Sequence, residues 1–148
     1  MKIKSSLITF LLRLALGWVF FYAGWEKLTM QGGFSAKGFL LNLHGTFSAF
    51  YLPLAGSHTI DLLVVWGEIL IGICLILGLL VRFASFWGIV LMLLFYFAQY
   101  PPKNAFLVDD HIIYALVLVY FMVSGAGRVW GMDKKLEKLL PQFKSLMG

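Results

Sequence analysis

The chain has 148 residues, of which 61% are apolar, 17% aromatic and only 13% charged. Soluble domains carry about 25% charged and about 45–50% apolar residues, so a globule of this size cannot hide the surplus and lipid must cover it. The net charge of +5 resides at segment ends, which fits membrane topology rather than a nucleic-acid footprint, and the single cysteine, Cys74, leaves no intrachain disulfide and no CxxC relay.

A membrane span needs about 20 mostly apolar residues. The first such stretch covers 7–25. Lys2 and Lys4 before it resemble the start of a signal peptide, but the run is long and Phe21-Tyr22-Ala23 lacks the small residue a cleavage site requires. It is therefore expected to stay as a span. In the following 29–60 segment, Phe34, Phe39, Leu40, Leu43, Phe47, Phe50 and Tyr51 recur at roughly helical spacing among polar residues. That pattern predicts an amphipathic outer segment over 34–52, lying in the interface or folded over the mouth of the helices. Gly32-Gly33 and Pro53 punctuate its ends.

The second and third spans, 62–81 and 83–100, are separated by little more than Arg82, which predicts a tight helical hairpin. The fourth is placed at 106–126. Its strongest run is Ile112–Ala126, and a start near Phe106 puts Asp109, Asp110 and His111 in the first turn. The tail 132–148 interleaves Leu136, Leu139, Leu140 and Phe143 with lysines and reads as an amphipathic stretch on the inner leaflet. The chain is thus expected to be one all-α domain, 1–148: a four-transmembrane-helix bundle. Lys2, Lys4, Arg82, Arg128, Lys134, Lys135, Lys138 and Lys144 place both termini in the cytoplasm, as a multi-pass protein of the inner (cytoplasmic) membrane.

Ionisable residues inside spans are costly and mark function by default. The candidates are Arg13 and Lys27 on the first span, Glu68 on the second, and Asp109, Asp110 and His111 at the fourth, with Gln99 and Tyr100 closing the third. Arg13, Gly17, Phe20, Gly24 and Lys27 share one helical face, and Glu68, Gly72 and Leu75 share another. At 1.5 Å per residue, Glu68 lies about 12 Å below the outer end and Arg13 about 10 Å above the inner end. Glu68 can therefore pair with Arg13 or with Lys27. The competing structural reading is a buried ion pair that fixes helix register and does no chemistry. His111 beside two carboxylates suits proton exchange near neutral pH, equally a simple interfacial hydrogen bond. His44, His58 and His111 show no metal-ligand spacing. Trp18, Trp25, Trp66, Trp87 and Trp130 read as an aromatic belt rather than a ligand cage. No Walker, Rossmann or haem-attachment motif occurs.

Three stretches then stand out: Leu12-Arg13 through Gly17, Gly24 and Lys27-Leu28; Gly67-Glu68-Ile69-Leu70-Ile71-Gly72 through Gly78 and Arg82-Phe83-Ala84; and His111 through Gly125, Gly127 and Asp133. In their order and spacing the chain resembles the DoxX family of small four-helix membrane proteins. A relative in that family, DoxD, is a subunit of thiosulfate:quinone oxidoreductase. The resemblance implies a membrane redox subunit that passes electrons to quinone at an outer-side pocket. Glu68 and His111 would be catalytic, and Lys27, Arg13, Asp109 and Tyr100 would bind substrate. Quinone is the implied cofactor, and lipid with other membrane subunits or further copies of the chain are the implied partners. A non-catalytic accessory or scaffold subunit is the alternative, and a small oligomeric transporter a third reading.

Overall fold

The computed structural model describes residues 2–102 and 107–148, with side chains from Ser5 onward. Lys103 and Phe106, expected in the third connection and at the start of the fourth span, lie outside the described residues, as do the side chains of Lys2 and Lys4. About 75% of the chain is helical and no strand occurs among the described residues.

Helix α1 runs Lys2–Leu28 and α4 runs His58–Leu77, separated by two short helices, α2 (Lys37–Leu41) and α3 (Ser48–Tyr51). Helices α5 (Val81–Ala98) and α6 (Asp110–Ser124) follow, then α7 (Asp133–Leu139). From Ser5 onward, α1 is long and apolar enough to cross a membrane, as are α4 and α5, while α6 is apolar but shorter. Only a third to two fifths of the most apolar stretch of each long helix is buried against the protein. The remainder, including Leu63, Leu70 and Trp18, faces outward and requires hydrocarbon around it. This is a membrane protein.

Small residues set the helix spacing. A Cβ at Gly24 would stand 2.7 Å from Ile69 Cγ1, and one at Gly72 would meet the Phe21 backbone. Without side chains at these points α1 and α4 pack backbone against backbone, as small residues permit in lipid. Gly88 of α5 instead leaves room for the Leu118 side chain of α6. Phe20, Leu75, Val81, Leu118 and Phe121 fill the space between them.

The hairpin turn falls earlier than the sequence suggests. Gly78 ends α4 at φ +65°, where only glycine is relaxed, and the Leu79 N–H returns to the Cys74 carbonyl at 2.8 Å. Arg82 is consequently not the turn but a residue of the first turn of α5, donating to the Met122 carbonyl at 3.2 Å. Helix α5 ends at Ala98, so Tyr100 lies beyond it. Helix α6 starts at Asp110 with Asp109 as its N-cap, not inside the first turn, because the Asp109 carboxylate accepts the Ile112 N–H at 3.2 Å. It stops at Ser124, where Gly125 turns left-handed at φ +69°.

The 34–52 segment is not the single amphipathic helix expected. It breaks between α2 and α3 because the Thr46 N–H bonds to the Tyr100 carbonyl at 3.2 Å, and Gly45 passes that carbonyl too closely for a side chain. Part of its apolar face still folds inward: Ala36, Leu40 and Tyr51 pack on Ala98 of α5, while Phe39, Phe47 and Phe50 stay exposed. Asp61 of α4 accepts the Ala36 N–H at 2.7 Å, and the Tyr51 hydroxyl donates to the Leu94 carbonyl at 2.8 Å. The segment is a cover tied to both α4 and α5.

Candidate functional site

The polar residues separate into three places. Between α1 and α4, the Lys27 ammonium donates to both oxygens of the Glu68 carboxylate, at 2.8 and 3.0 Å, and to the Ala23 carbonyl at 3.2 Å. Phe34 from the cover lies over the ammonium, 5.8 Å from it. Glu68 is buried, whereas Lys27 keeps 24% of its side chain exposed. The alternative pairing weighed from the sequence, Arg13 with Glu68, does not form.

Arg13 belongs instead to the far end of the helices. It is fully buried, donates to the Ala126 carbonyl, and reaches the Trp130 carbonyl at 3.5 Å. Its guanidinium passes Gly78 and Gly131, where a Cβ on either would collide with it. Asp133 stands near enough to act on its charge. Asp133, also fully buried, accepts the N–H groups of Leu80 and Val81, at 2.6 and 3.1 Å. That bond holds Leu80 at φ +48°, a conformation a leucine rarely adopts.

The third place is a cleft of about 790 Å³ beneath the cover. Its polar walls come from Asn42, His44, Tyr100, Asp109, Asp110 and His111, its apolar walls from Phe39, Leu43 and Val108. Within it, His111 Nδ1 lies 2.7 Å from Asp109 Oδ2. The other carboxylate oxygen, Oδ1, accepts the Ile112 N–H, so the carboxylate both caps α6 and holds the imidazole. With a capping carboxylate as acceptor, Nδ1 is the donor of this bond, and Nε2 has no hydrogen-bond partner among the described residues.

Of the residues expected at one site, the fold brings together His111, Asp109 and Tyr100. Lys27, Glu68 and Arg13 do not line this cleft, and no hydrogen bond or ion pair joins Glu68 to His111 among the described residues. The sequence considered His44 only as a metal ligand, whereas the fold brings it to the cleft through the break between α2 and α3. No periodic signal marks it. A separate apolar groove of about 410 Å³ runs between α4 and α5, past Gly67, Cys74 and Trp87. It offers room for hydrocarbon but no ionisable side chain beyond the Cys74 thiol. The five tryptophans are all exposed, and none lines the polar cleft.

No curated protein and no solved structure matches the chain. The family model for DoxX matches residues 8–101, from within α1 to just past the end of α5 and so across both partners of the Lys27–Glu68 pair. That match covers well over half of the sequence, and the chain belongs to the DoxX family.

Proposed function

We propose that this DoxX protein is a membrane redox subunit whose polar cleft exchanges protons with a quinone head group. The observation that carries the reading is the Asp109–His111 pair: a histidine oriented by a carboxylate, its second nitrogen without a partner among the described residues, in a cleft at a helix end. The cleft falls within the roughly 300–1,000 Å³ typical of small-molecule sites, and its apolar side chains Phe39, Leu43 and Val108, set beside hydrogen-bonding groups, would suit a flat ring with two carbonyl oxygens. A bound quinone supplies two-electron, two-proton carrier chemistry. His111 Nε2 gives or takes a proton at a ligand oxygen, and Asp109 keeps the imidazole oriented and balances its charge when protonated. Phe39 and Leu43 supply apolar wall against which such a ring would pack.

Electrons must come from outside this chain, whose sequence carries no haem-attachment or dinucleotide motif. The finer reading is transfer from thiosulfate with a second subunit: two dianions join through a new S–S bond and release two electrons. Lys27 is already neutralised by Glu68 and Arg13 is fully buried, so neither offers charge to that anion. In this reading both residues hold helices together, and the sulfur anion is handled by the partner.

For topology we propose four spans, α1, α4, α5 and α6, with both termini on the cytoplasmic side of the inner membrane. Arg82, Arg128 and the tail lysines gather at one end of the helices, which supports that direction. The 15 residues of α6 cover about 22 Å, short of a roughly 30 Å core, so its flanking turns complete the crossing.

The test is titration of a short-chain ubiquinone analogue into the protein in nanodiscs while the His111 ring nitrogens are followed by NMR. A shift of the Nε2 signal and at least tenfold weaker binding in His111→Asn are expected. An Nε2 signal unmoved at saturating quinone would sink the reading. The second reading, a non-catalytic accessory subunit or scaffold, draws on the exposed aromatic residues Trp18, Tyr22 and Trp25 along α1, joined by ring contacts with half-buried Phe21, a surface for partner helices. It predicts co-extraction with a cofactor-bearing protein in mild detergent and no quinone binding by the isolated chain.

A further inference from the structure

The tail leaves the helices at Asp133 and comes back to them. Its first foot is Asp133, locked to Leu80 and Val81. Its second is Met147-Gly148, both buried, with the Gly148 N–H donating to Asp133 Oδ2 at 3.0 Å. Residues 134–146 therefore form an arc pinned at both ends on one carboxylate. The arc is α7 followed by a 3-10 turn over Pro141–Leu146.

What the arc presents is unusual for a surface meeting water. Lys134, Lys135, Lys138 and Lys144 are all exposed. Leu139 is 75% exposed among them, with Leu140 and Phe143 also turned outward. The single acid of the arc, Glu137, is held by Arg128, whose Nε lies 2.8 Å away. None of the four lysines has an ion-pair partner among the described residues. Four uncompensated cations and three unburied apolar side chains thus share one short arc at the ends of α4, α5 and α6.

We propose that this arc is a docking surface for anionic phospholipid, its lysines on the head groups and Leu139, Leu140 and Phe143 in the boundary with the acyl chains. Charge alone would also suit an acidic protein or a nucleic acid. The interleaved apolar residues, set at the level where the spans end, select the lipid surface. Pinning at both feet makes the site pre-organised, because little ordering remains to be done on binding. Each lysine near an anionic surface contributes about fivefold in partitioning, so the four act together strongly.

The experiment is native mass spectrometry of the detergent-purified full chain, titrated with phosphatidylglycerol or phosphatidylcholine. Wild type is expected to retain phosphatidylglycerol several-fold better, and the variant K134Q/K135Q/K138Q/K144Q to lose that preference with unchanged helix content by circular dichroism. Lys37→Gln, at the opposite end, should retain it. Equal retention of the two lipids by wild type overturns the proposal, as does an undiminished preference in the fourfold variant. Displacement of phosphatidylglycerol by inorganic phosphate also overturns it, since the arc would then be a phosphate site rather than a lipid surface.

Discussion

Lys27 on α1 grips both carboxylate oxygens of Glu68 on α4, at 2.8 and 3.0 Å, across an interface where glycines meet aliphatic and phenylalanine side chains. The two partners are unequal, because Glu68 is 4% exposed and Lys27 24%. Removing Lys27 strands a buried carboxylate, whereas removing Glu68 leaves an ammonium that can snorkel outward. Lys27→Met is therefore expected to cost about 3–5 kcal/mol, and Glu68→Gln less. Unfolding in SDS checks this, and the double variant should lose less than the two singles added. Equal costs for the singles would contradict the asymmetry.

Gly72 should not tolerate alanine. Its Cβ would run into the Phe21 backbone, which cannot move without parting α1 from α4. Gly72→Ala is expected to destabilise by about 1–3 kcal/mol. Gly67, on the same helix, has open space where its Cβ would go, so Gly67→Ala should fall within about 0.5 kcal/mol of wild type. Comparison of the two unfolding midpoints decides the matter.

Asp133→Ala leaves the N–H groups of Leu80, Val81 and Gly148 without their acceptor. The expected loss is at least about 1.5–3 kcal/mol, the range for hydrogen bonds to charged groups. Because both feet of the tail arc rest on this carboxylate, trypsin should also cut faster after Lys134, Lys135 and Lys138. A variant as protease-resistant as wild type would show that the arc is held by something else.

The Arg128–Glu137 contact carries a pH signature. The hydrogen bond from Arg128, with the charges of Arg128, Lys144 and Arg82 behind it, holds the Glu137 carboxyl below its ordinary 4.5. A carboxyl depressed in the folded state contributes stability that is complete above 4.5 and is lost as pH falls through the lower folded value. Wild type should therefore exceed Glu137→Gln in unfolding midpoint at neutral pH, the two converging in acid. The pair lies at the surface, with Arg128 exposed, so the difference should be small and should shrink with added salt.

Much of this was legible in the residues themselves. The stripe Arg13, Gly17, Phe20, Gly24 and Lys27 follows from helical spacing, and all but Lys27 are in fact buried, with Lys27 half-buried. Glu68 in an apolar run announced a partner. Which partner was not readable, since Arg13 and Lys27 lie on the same face and both can reach in principle. The cleft was half visible: Gln99, Tyr100, Asp109, Asp110 and His111 were named, but His44 arrives through the break between α2 and α3. That break depends on the Tyr100 carbonyl, more than fifty residues away.

The sequence by itself determined that the chain lives in lipid, that it is helical, and which faces of those helices turn inward. Those are one-dimensional properties, because hydrocarbon acts on apolar runs and a helix repeats every 3.6 residues. Only the tertiary structure decided that Lys27 rather than Arg13 pairs with Glu68, that His111 lies apart from them, and that Asp133 fastens the tail to the α4–α5 turn. Each of those contacts joins residues 41 to 53 positions apart or depends on which helix ends share a level, and Coulomb attraction chooses among partners only once packing has fixed their depth.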